Sequence, residues 1–249
     1  MMMNDVWEDL RFFAEHLRGL RVSESVALGA GGGFCVSTNN EFENWVYFPE
    51  RVTDTDTVNM AAGFFRERGE TFMWPVYDGG GEVLADGGLV RAGHLEAMSF
   101  DPSHAVTNRG NNAVTLRKIG REASGAWASC MWSAFAYGDG GPSREYCALV
   151  EALCDDGAMS LYVAELAGHD AGGFLLTDEP GLAGVYYFGV KPDFRRRGVA
   201  SAMMSGICGL SGGKKIVLQA TPSGVPFYEA FGFADLGAIE VYSTVADIF

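Results

Sequence analysis

The fold of this chain is decided by residues 185–200, which read VYYFGVKPDFRRRGVA. The pattern predicts an apolar strand that ends at Pro192, a short basic loop, and a helix that opens at Gly198. The first N–H groups of a helix lack partners within the helix, and the helix dipole favours an anion at that end. Gly198 and Ala200 have almost no side chain, so an anion can approach the backbone closely. The stretch therefore predicts a site for a diphosphate.

The distribution of charge supports an anion site at this turn. The formal net charge is −14; residues 1–108 hold 7 basic and 17 acidic residues, and residues 109–249 hold 11 and 15. Six of those 11 basic residues are Lys191, Arg195, Arg196, Arg197, Lys214 and Lys215. A solvated basic turn is the alternative explanation. An acidic surface repels nucleic acid and anionic membranes, so we expect neither as a partner, and it favours cationic partners.

Composition indicates a globular protein of a reducing compartment. Of the 249 residues, 48% are hydrophobic and 20% are charged, which allows a sizeable core. No apolar run approaches the roughly 18 residues that span a bilayer, and no secretory signal is evident at residues 1–5. The 5 cysteines are odd in number and scattered, and the 4 histidines lack metal-ligand spacing. We therefore expect a cytoplasmic protein without a metal.

Turn-forming residues at 101–112 divide the chain into residues 1–108 and 109–249. In the first part we predict helices at 7–20, 54–68 and 82–92 and strands at 34–36, 45–48 and 71–77. In the second part we predict strands at 114–118, 159–166, 172–177, 182–190, 215–220 and 239–245, with helices at 122–137, 142–155, 197–208 and 226–231. The three consecutive strands from 159 to 190 indicate an antiparallel meander.

Two motifs of the second part resemble the GNAT superfamily of acyl-CoA-dependent N-acetyltransferases. The signature Arg/Gln-x-x-Gly-x-Gly/Ala is matched by residues 195–200, and the downstream pattern Tyr-x-x-x-Gly-Phe is matched from Tyr228 to Phe233. Thr221 and Gly224 stand where many members have Asn and Ala, which puts the cofactor contact of that Asn in doubt. The sequence around them is similar to a subset with two GNAT-like halves.

The resemblance implies an α+β fold with α/β layers, the GNAT acyl-CoA N-acyltransferase fold. Its sheet is mixed and mostly antiparallel, it is flanked by helices, and the arrangement is tandem. Residues 1–108 would be a degenerate GNAT-like half without the phosphate-binding turn, and residues 109–249 would be the catalytic domain.

The resemblance also implies a cofactor and a site. Acetyl-CoA would be the cofactor, and main-chain groups of the strand would bind its pantetheine arm. Tyr228 would protonate the departing thiolate, since a thiol pKa of about 8.5 and a phenol pKa of about 10 are close. The alternatives are a packing kink at Gly189 and a purely structural Tyr228. The implied cofactor-binding residues are Phe188, Gly189, Val190, Arg195, Arg196, Arg197, Gly198, Val199, Ala200 and Ser201.

The implied reaction transfers an acetyl group to a primary amine of a small molecule or peptide by direct attack in a ternary complex. The acidic first part favours a cationic acceptor. The general base is not identified; Asp178 and Glu179 are candidates, with plain solvation as the alternative, and no Cys/His pairing favours a covalent route. Two other functions stay open: a non-catalytic acyl-CoA-binding or regulatory module, and an acyltransferase that uses a longer acyl chain or a hydroxyl acceptor.

Overall fold

The computed structural model describes residues 3–29, 31–40, 42–76, 79–103 and 110–246. Within these ranges the chain forms seven α-helices and eleven β-strands. The helices are α1 Met3–Gly19, α2 Thr55–Arg66, α3 Gly81–Asp86, α4 Ser124–Phe135, α5 Arg144–Asp155, α6 Val199–Leu210 and α7 Val225–Phe231. The strands are β1 Glu24–Leu28, β2 Gly33–Ser37, β3 Trp45–Tyr47, β4 Trp74–Val76, β5 Val90–Phe100, β6 Val114–Lys118, β7 Met159–Leu166, β8 His169–Thr177, β9 Leu182–Val190, β10 Lys215–Ala220 and β11 Ala234–Ser243.

Eight strands form one sheet in the order β4-β11-β5-β10-β9-β8-β7-β6. Every neighbouring pair in it is antiparallel except β9 and β10, which run parallel. The strands β1, β2 and β3 form a second, antiparallel sheet. The architecture is therefore the mixed, mostly antiparallel sheet flanked by helices that the resemblance implied.

Helices cover both faces of the large sheet. On one face the core joins α1, α4 and α5 to the sheet through side chains such as Phe13, Trp127 and Leu149. On the other face the core joins α6 and α7 to the sheet through side chains such as Met203 and Phe231. Burial of these apolar stripes fixes which side of β9 each helix can reach.

The parallel strands β9 and β10 separate partway along their length. Their pairing runs from Leu182–Lys215 to Val185–Leu218, and residues 186–190 of β9 have no register partner on β10. Strand β10 continues instead along β5. On its other side β9 carries one extra residue against β8, and Tyr187 has a φ of +50° at this bulge. The free edge of residues 186–190 faces a space that we call the strand gap.

The first part of the chain differs from its predicted elements. The helix predicted at 82–92 is wrong beyond Asp86, because Gly87 and Gly88 end α3 and Gly88 has a φ of +85°. Val90–Phe100 forms β5, which was not predicted, and β1 was missed as well. The predicted division between residues 108 and 109 lies outside the described residues. Strand β5 precedes that point and lies between β10 and β11.

None of the helices in the described ranges is long and apolar enough to cross a membrane.

Candidate active site

The turn between β9 and α6 presents a row of free backbone N–H groups. A 3-10 turn at Pro192–Phe194 leads into two residues with left-handed backbone, Arg196 at φ +59° and Gly198 at φ +77°. Within the described chain, the N–H groups of residues 196–201 have no hydrogen-bond acceptor, and no side chain caps α6. Successive free N–H groups at a helix N-terminus make an anion-binding concavity. The turn therefore has the geometry that the sequence predicted.

The three arginines of this turn are all exposed, but they have different surroundings. The guanidinium of Arg195 donates hydrogen bonds to the carbonyl oxygens of Val190, at 3.1 Å, and Ala134, at 3.0 Å. Arg195 therefore ties the turn to the end of β9 and to α4. Arg196 has no hydrogen bond or ion pair to any described residue, and the guanidinium of Arg197 lies 5.5 Å from the ring centre of Phe194. Arg196 and Arg197 are the two that remain available to an anion.

The segment that follows the predicted boundary supports the turn from outside. The backbone N–H of Asn111 donates to the carbonyl of Gly198 at 3.3 Å, and its side-chain amide donates to the carbonyl of Arg197 at 3.1 Å. Gly110 packs so closely that a Cβ there would lie 2.4 Å from the Cα of Ala202. The two hydrogen bonds from Asn111 end on carbonyl oxygens, so they leave the N–H groups of residues 196–201 free.

The remaining residues of the predicted cofactor site lie on β9 and the first turn of α6. Ala200 and Ser201 are half-buried, whereas the side chain of Val199 is in the core. Phe188 and Val190 are half-buried beside the strand gap. Gly189 is buried, and a Cβ there would lie 2.9 Å from the flexible end of Met131 and 3.1 Å from the Cβ of Ala134, so the glycine favours close packing against α4. The predicted cofactor residues thus form one continuous path from the strand gap to the turn.

Tyr228 lies on α7 next to this path. Its ring centre is 5.9 Å from that of Phe188 and 5.5 Å from that of Phe233. The residue is 8% exposed, and its hydroxyl forms no hydrogen bond with the described residues. Burial raises the pKa of Tyr228 well above 10. The hydroxyl therefore stays protonated, and its O–H group is free to donate a hydrogen bond at the edge of the strand gap.

The predicted base candidates lie at the closed end of β9 and β10. Both follow Thr177, close to the paired part of these strands. Asp178 forms an ion pair with Lys214, and its side chain is 72% exposed. Glu179 is 7% exposed, and burial together with the charge of Asp9 raises its pKa to about 8. Glu179 interacts with Asp9 and with Tyr186, the first residue of the free edge. The role of either carboxylate as base stays a prediction.

A buried carboxylate that the sequence reasoning missed is Asp9 of α1, which is fully buried on the sheet. It accepts hydrogen bonds from the hydroxyl groups of Thr177, at 3.0 Å, and Tyr186, at 2.7 Å. Burial raises the pKa of Asp9 to about 6 against these bonds, which lower it. The available signal was an acid between Val6 and Leu10, inside the apolar stripe of α1.

Glu43, between β2 and β3, is a second buried carboxylate that was missed. It is 8% exposed and accepts a 2.8 Å hydrogen bond from the indole of Trp45. Burial raises the pKa of Glu43 to about 7. The side chain of Tyr187, the bulge residue of β9, faces it. No periodic pattern in residues 38–44 distinguishes this acid, because the segment is a polar loop.

No group of three or more His, Cys, Asp or Glu residues in the described ranges is arranged to hold a metal ion. All five cysteines are free.

The parallel strand pair that opens beside a bulge, and the helix with a free N-terminus that follows it, lie in the segment whose motifs predicted the resemblance. Residues 157–235 match the family model described as "Acetyltransferase (GNAT) domain". This segment contains β9, the turn, α6 and Tyr228, so the match covers the predicted site. The predicted resemblance to the GNAT superfamily is confirmed.

Solved structures with the same fold cover nearly the whole chain. A GCN5-related N-acetyltransferase from Kribbella flavida is 14% identical, with a TM-score of 0.65, over 96% of this chain and 95% of that one. A second, from Sphaerobacter thermophilus, is 15% identical, with a TM-score of 0.60, over 89% and 76%. A tandem GNAT protein from the clavulanic acid biosynthesis pathway is 12% identical, with a TM-score of 0.59, over 90% and 83%. The search of curated proteins found no match. At such identities the likeness establishes the fold, and the predicted fold class is confirmed.

Proposed function

We propose that this chain is an N-acetyltransferase that transfers an acetyl group from acetyl-CoA to a primary amine of a small molecule or peptide. The transfer would occur by direct attack of the amine in a ternary complex. The observation that carries the proposal is the row of free N–H groups at residues 196–201, which lies at the end of the opened strand β9. The five free cysteines fit a reducing compartment such as the cytoplasm.

The residues of the turn fit a diphosphate in charge and in shape. The free N–H groups would donate to phosphate oxygens, and the exposed Arg196 and Arg197 would add charge-assisted hydrogen bonds. The free edge of residues 186–190 would bind the pantetheine amides, because it has unused main-chain donors and acceptors. Bound acetyl-CoA would supply the activated acetyl group.

Two further features of the chain favour an enzyme over a binding module. A main-chain N–H of the bulged strand would stabilise developing negative charge on the carbonyl oxygen. The hydroxyl of Tyr228 is protonated and lacks a partner in the described chain, so its O–H is free to donate a hydrogen bond, and then its proton, to the departing sulfur. Burial raises the pKa of Tyr228, which makes this transfer more uphill than the ordinary thiol and phenol values imply. A site built only for binding would not need this free donor.

Calorimetry of CoA binding tests the cofactor site. We expect the double variant R196A/R197A to bind CoA at least tenfold more weakly than wild type, since a hydrogen bond to a charged group contributes about 1.5–3 kcal/mol. The matched control is Arg117→Ala, which removes an exposed arginine on β6 that pairs with Glu165. Absence of CoA affinity, or equal affinity in the double variant and the control, would refute the site.

Release of free thiol from acetyl-CoA on a panel of primary amines tests the reaction. We expect Tyr228→Phe to lower kcat by about 100-fold or more while CoA affinity is retained. Tight CoA binding without turnover on any amine would favour the non-catalytic module. Faster turnover with longer acyl chains or with hydroxyl acceptors would favour the other alternative.

A further inference from the structure

Glu43 lies in a box of aromatic side chains on the same face of the sheet as α1, α4 and α5. The rings contact one another: Phe42 stacks on Tyr137 with centres 4.0 Å apart and meets Trp132 edge-on at 5.6 Å. We call this set the Glu43 box, and its side chains are Phe42, Glu43, Trp45, Trp132, Tyr137, Tyr146 and Tyr187.

One buried hydroxyl group in the Glu43 box has no hydrogen-bond partner. Tyr146 is fully buried, and its hydroxyl finds no acceptor or donor in the described chain. The hydroxyl of Tyr187 faces the Glu43 carboxylate instead. An unpaired buried polar group destabilises the folded state, because it has lost its hydrogen bonds to water. Such groups beside a carboxylate indicate a place for a polar ligand, because a ligand that donates hydrogen bonds would remove this cost.

The charge of the box specifies the ligand further. The groups that face Glu43 are Trp45 from β3, Tyr187 from β9, Tyr137 after α4 and Tyr146 from α5. None of them is a cation, so the buried carboxylate has no counter-ion. A cation that enters the box would favour the charged form of Glu43, and the faces of aromatic rings attract cations. An alkylammonium group supplies the missing charge and three hydrogen-bond donors.

The position of the box connects it to the proposed transfer. Tyr187 is the residue of the bulge in β9, so its ring belongs to the box while its main chain belongs to the free edge at the strand gap. The next residue, Phe188, contacts Tyr228 on the opposite face of the sheet. A ligand in the Glu43 box would therefore be one residue away from the strand segment that we assign to the thioester.

We propose that the Glu43 box is the acceptor site, that the acceptor enters as an alkylammonium ion, and that the Glu43 carboxylate takes a proton from its nitrogen. This inference rests on the proposed function. Loss of the proton gives the nitrogen a lone pair, which forms the new C–N bond as the C–S bond breaks. Over the whole reaction two protons leave nitrogen; one ends on sulfur and one passes through Glu43 to solvent.

Binding of a simple amine tests the box without CoA. The probe is n-butylammonium chloride at pH 8, titrated by calorimetry, with n-butanol as the neutral comparison. We expect wild type to bind the ammonium and not the alcohol, and Glu43→Gln to bind it at least tenfold more weakly. The matched control is Glu70→Gln, a half-buried acid of the first part that accepts a hydrogen bond from Ser37. Equal binding by wild type and Glu43→Gln, or equal binding of amine and alcohol, would overturn the inference.

Kinetics then separate a base from a structural residue. We expect Glu43→Gln to lower kcat at least 100-fold and to remove the fall of kcat/KM below pH 7 that protonation of Glu43 produces in wild type. Glu43→Asp should restore part of the rate. If Glu43→Gln does not fold, Tyr187→Phe gives a second readout and should weaken ammonium binding severalfold. An unchanged pH profile in a Glu43→Gln enzyme that is active and binds CoA would refute the role of Glu43 as the base. Lack of CoA affinity in wild type would refute the proposed function, whereas the ammonium-binding test of the Glu43 box would still apply.

Discussion

Asp9→Asn should change how the stability of this protein depends on pH. Asp9 is fully buried, and burial raises its pKa from 3.8 to about 6. A carboxyl group whose pKa is higher in the folded state stabilises that state below its unfolded pKa, because folding then favours the bound proton. The stabilisation is lost as the pH rises through the folded pKa. Asparagine has nearly the same shape and does not titrate in this range.

The pKa values set the size of the effect. A difference of about two pH units corresponds to about 3 kcal/mol, of which 2 to 3 kcal/mol falls between pH 4 and pH 8. The free energy of unfolding of Asp9→Asn, relative to wild type, should rise by that amount across this range. In wild type, Glu179 adds to the decrease of stability with rising pH, because burial and the charge of Asp9 raise its pKa to about 8. The variant removes that charge as well.

Urea unfolding at pH 4, 5, 6, 7 and 8 measures this difference, with the transition followed by tryptophan fluorescence and by circular dichroism. The control is Glu15→Gln, which removes an exposed acid of the same helix. Its difference from wild type should stay within about 0.5 kcal/mol at every pH. A constant difference for Asp9→Asn, or one that falls as the pH rises, would refute the reasoning.

Three other substitutions test local parts of the structure. Gly198→Ala places a side chain at a φ of +77° and should lower the free energy of unfolding by about 1–2 kcal/mol in thermal unfolding. The variant should also bind CoA more weakly in calorimetry. Unchanged stability would contradict the left-handed turn. Asp54→Ala removes the cap that accepts the N–H of Thr57 at 2.7 Å and should cost about 1 kcal/mol in urea unfolding, whereas Asp54→Asn should cost little. Trp127→Phe leaves the carbonyl of Tyr162 without its 2.9 Å indole partner and should cost at least about 1 kcal/mol by the same assay; a neutral effect would show that this bond is dispensable.

The turn at residues 192–198 was predictable because its determinants are local. A proline, three arginines and a glycine within seven residues fix both the backbone and the charge, and the structure has the expected helix from Val199. The strands β6 and β10 were predicted to the residue, since each is a short apolar or alternating run between turn formers. Short-range signals were sufficient here.

Strand β5 and the buried carboxylates depend on long-range contacts. The partners of β5 are β10 and β11, which lie more than 100 residues later in the chain. The start of β5 was predicted as helix because residues 82–92 form a run that contains alanine and glutamate. Asp9 and Glu43 are buried because α1 and the β2–β3 loop pack on β9, and no spacing within the sequence encodes that packing. The ring of Tyr187 could not be assigned to a side of the sheet without knowledge of the bulge.

The residues around the strand gap come from both parts of the chain. The turn, the bulged strand and Tyr228 belong to residues 110–246, whereas Asp9, Glu43 and β5 precede residue 104. Because β5 is hydrogen-bonded between β10 and β11, removal of the first part would break two strand pairings in the middle of the large sheet. It would also uncover the face of β9 on which both buried carboxylates lie. The first part therefore completes the sheet and, in the proposed reaction, supplies the acceptor side, so the turn and the Glu43 box can act together only in a chain that contains both parts.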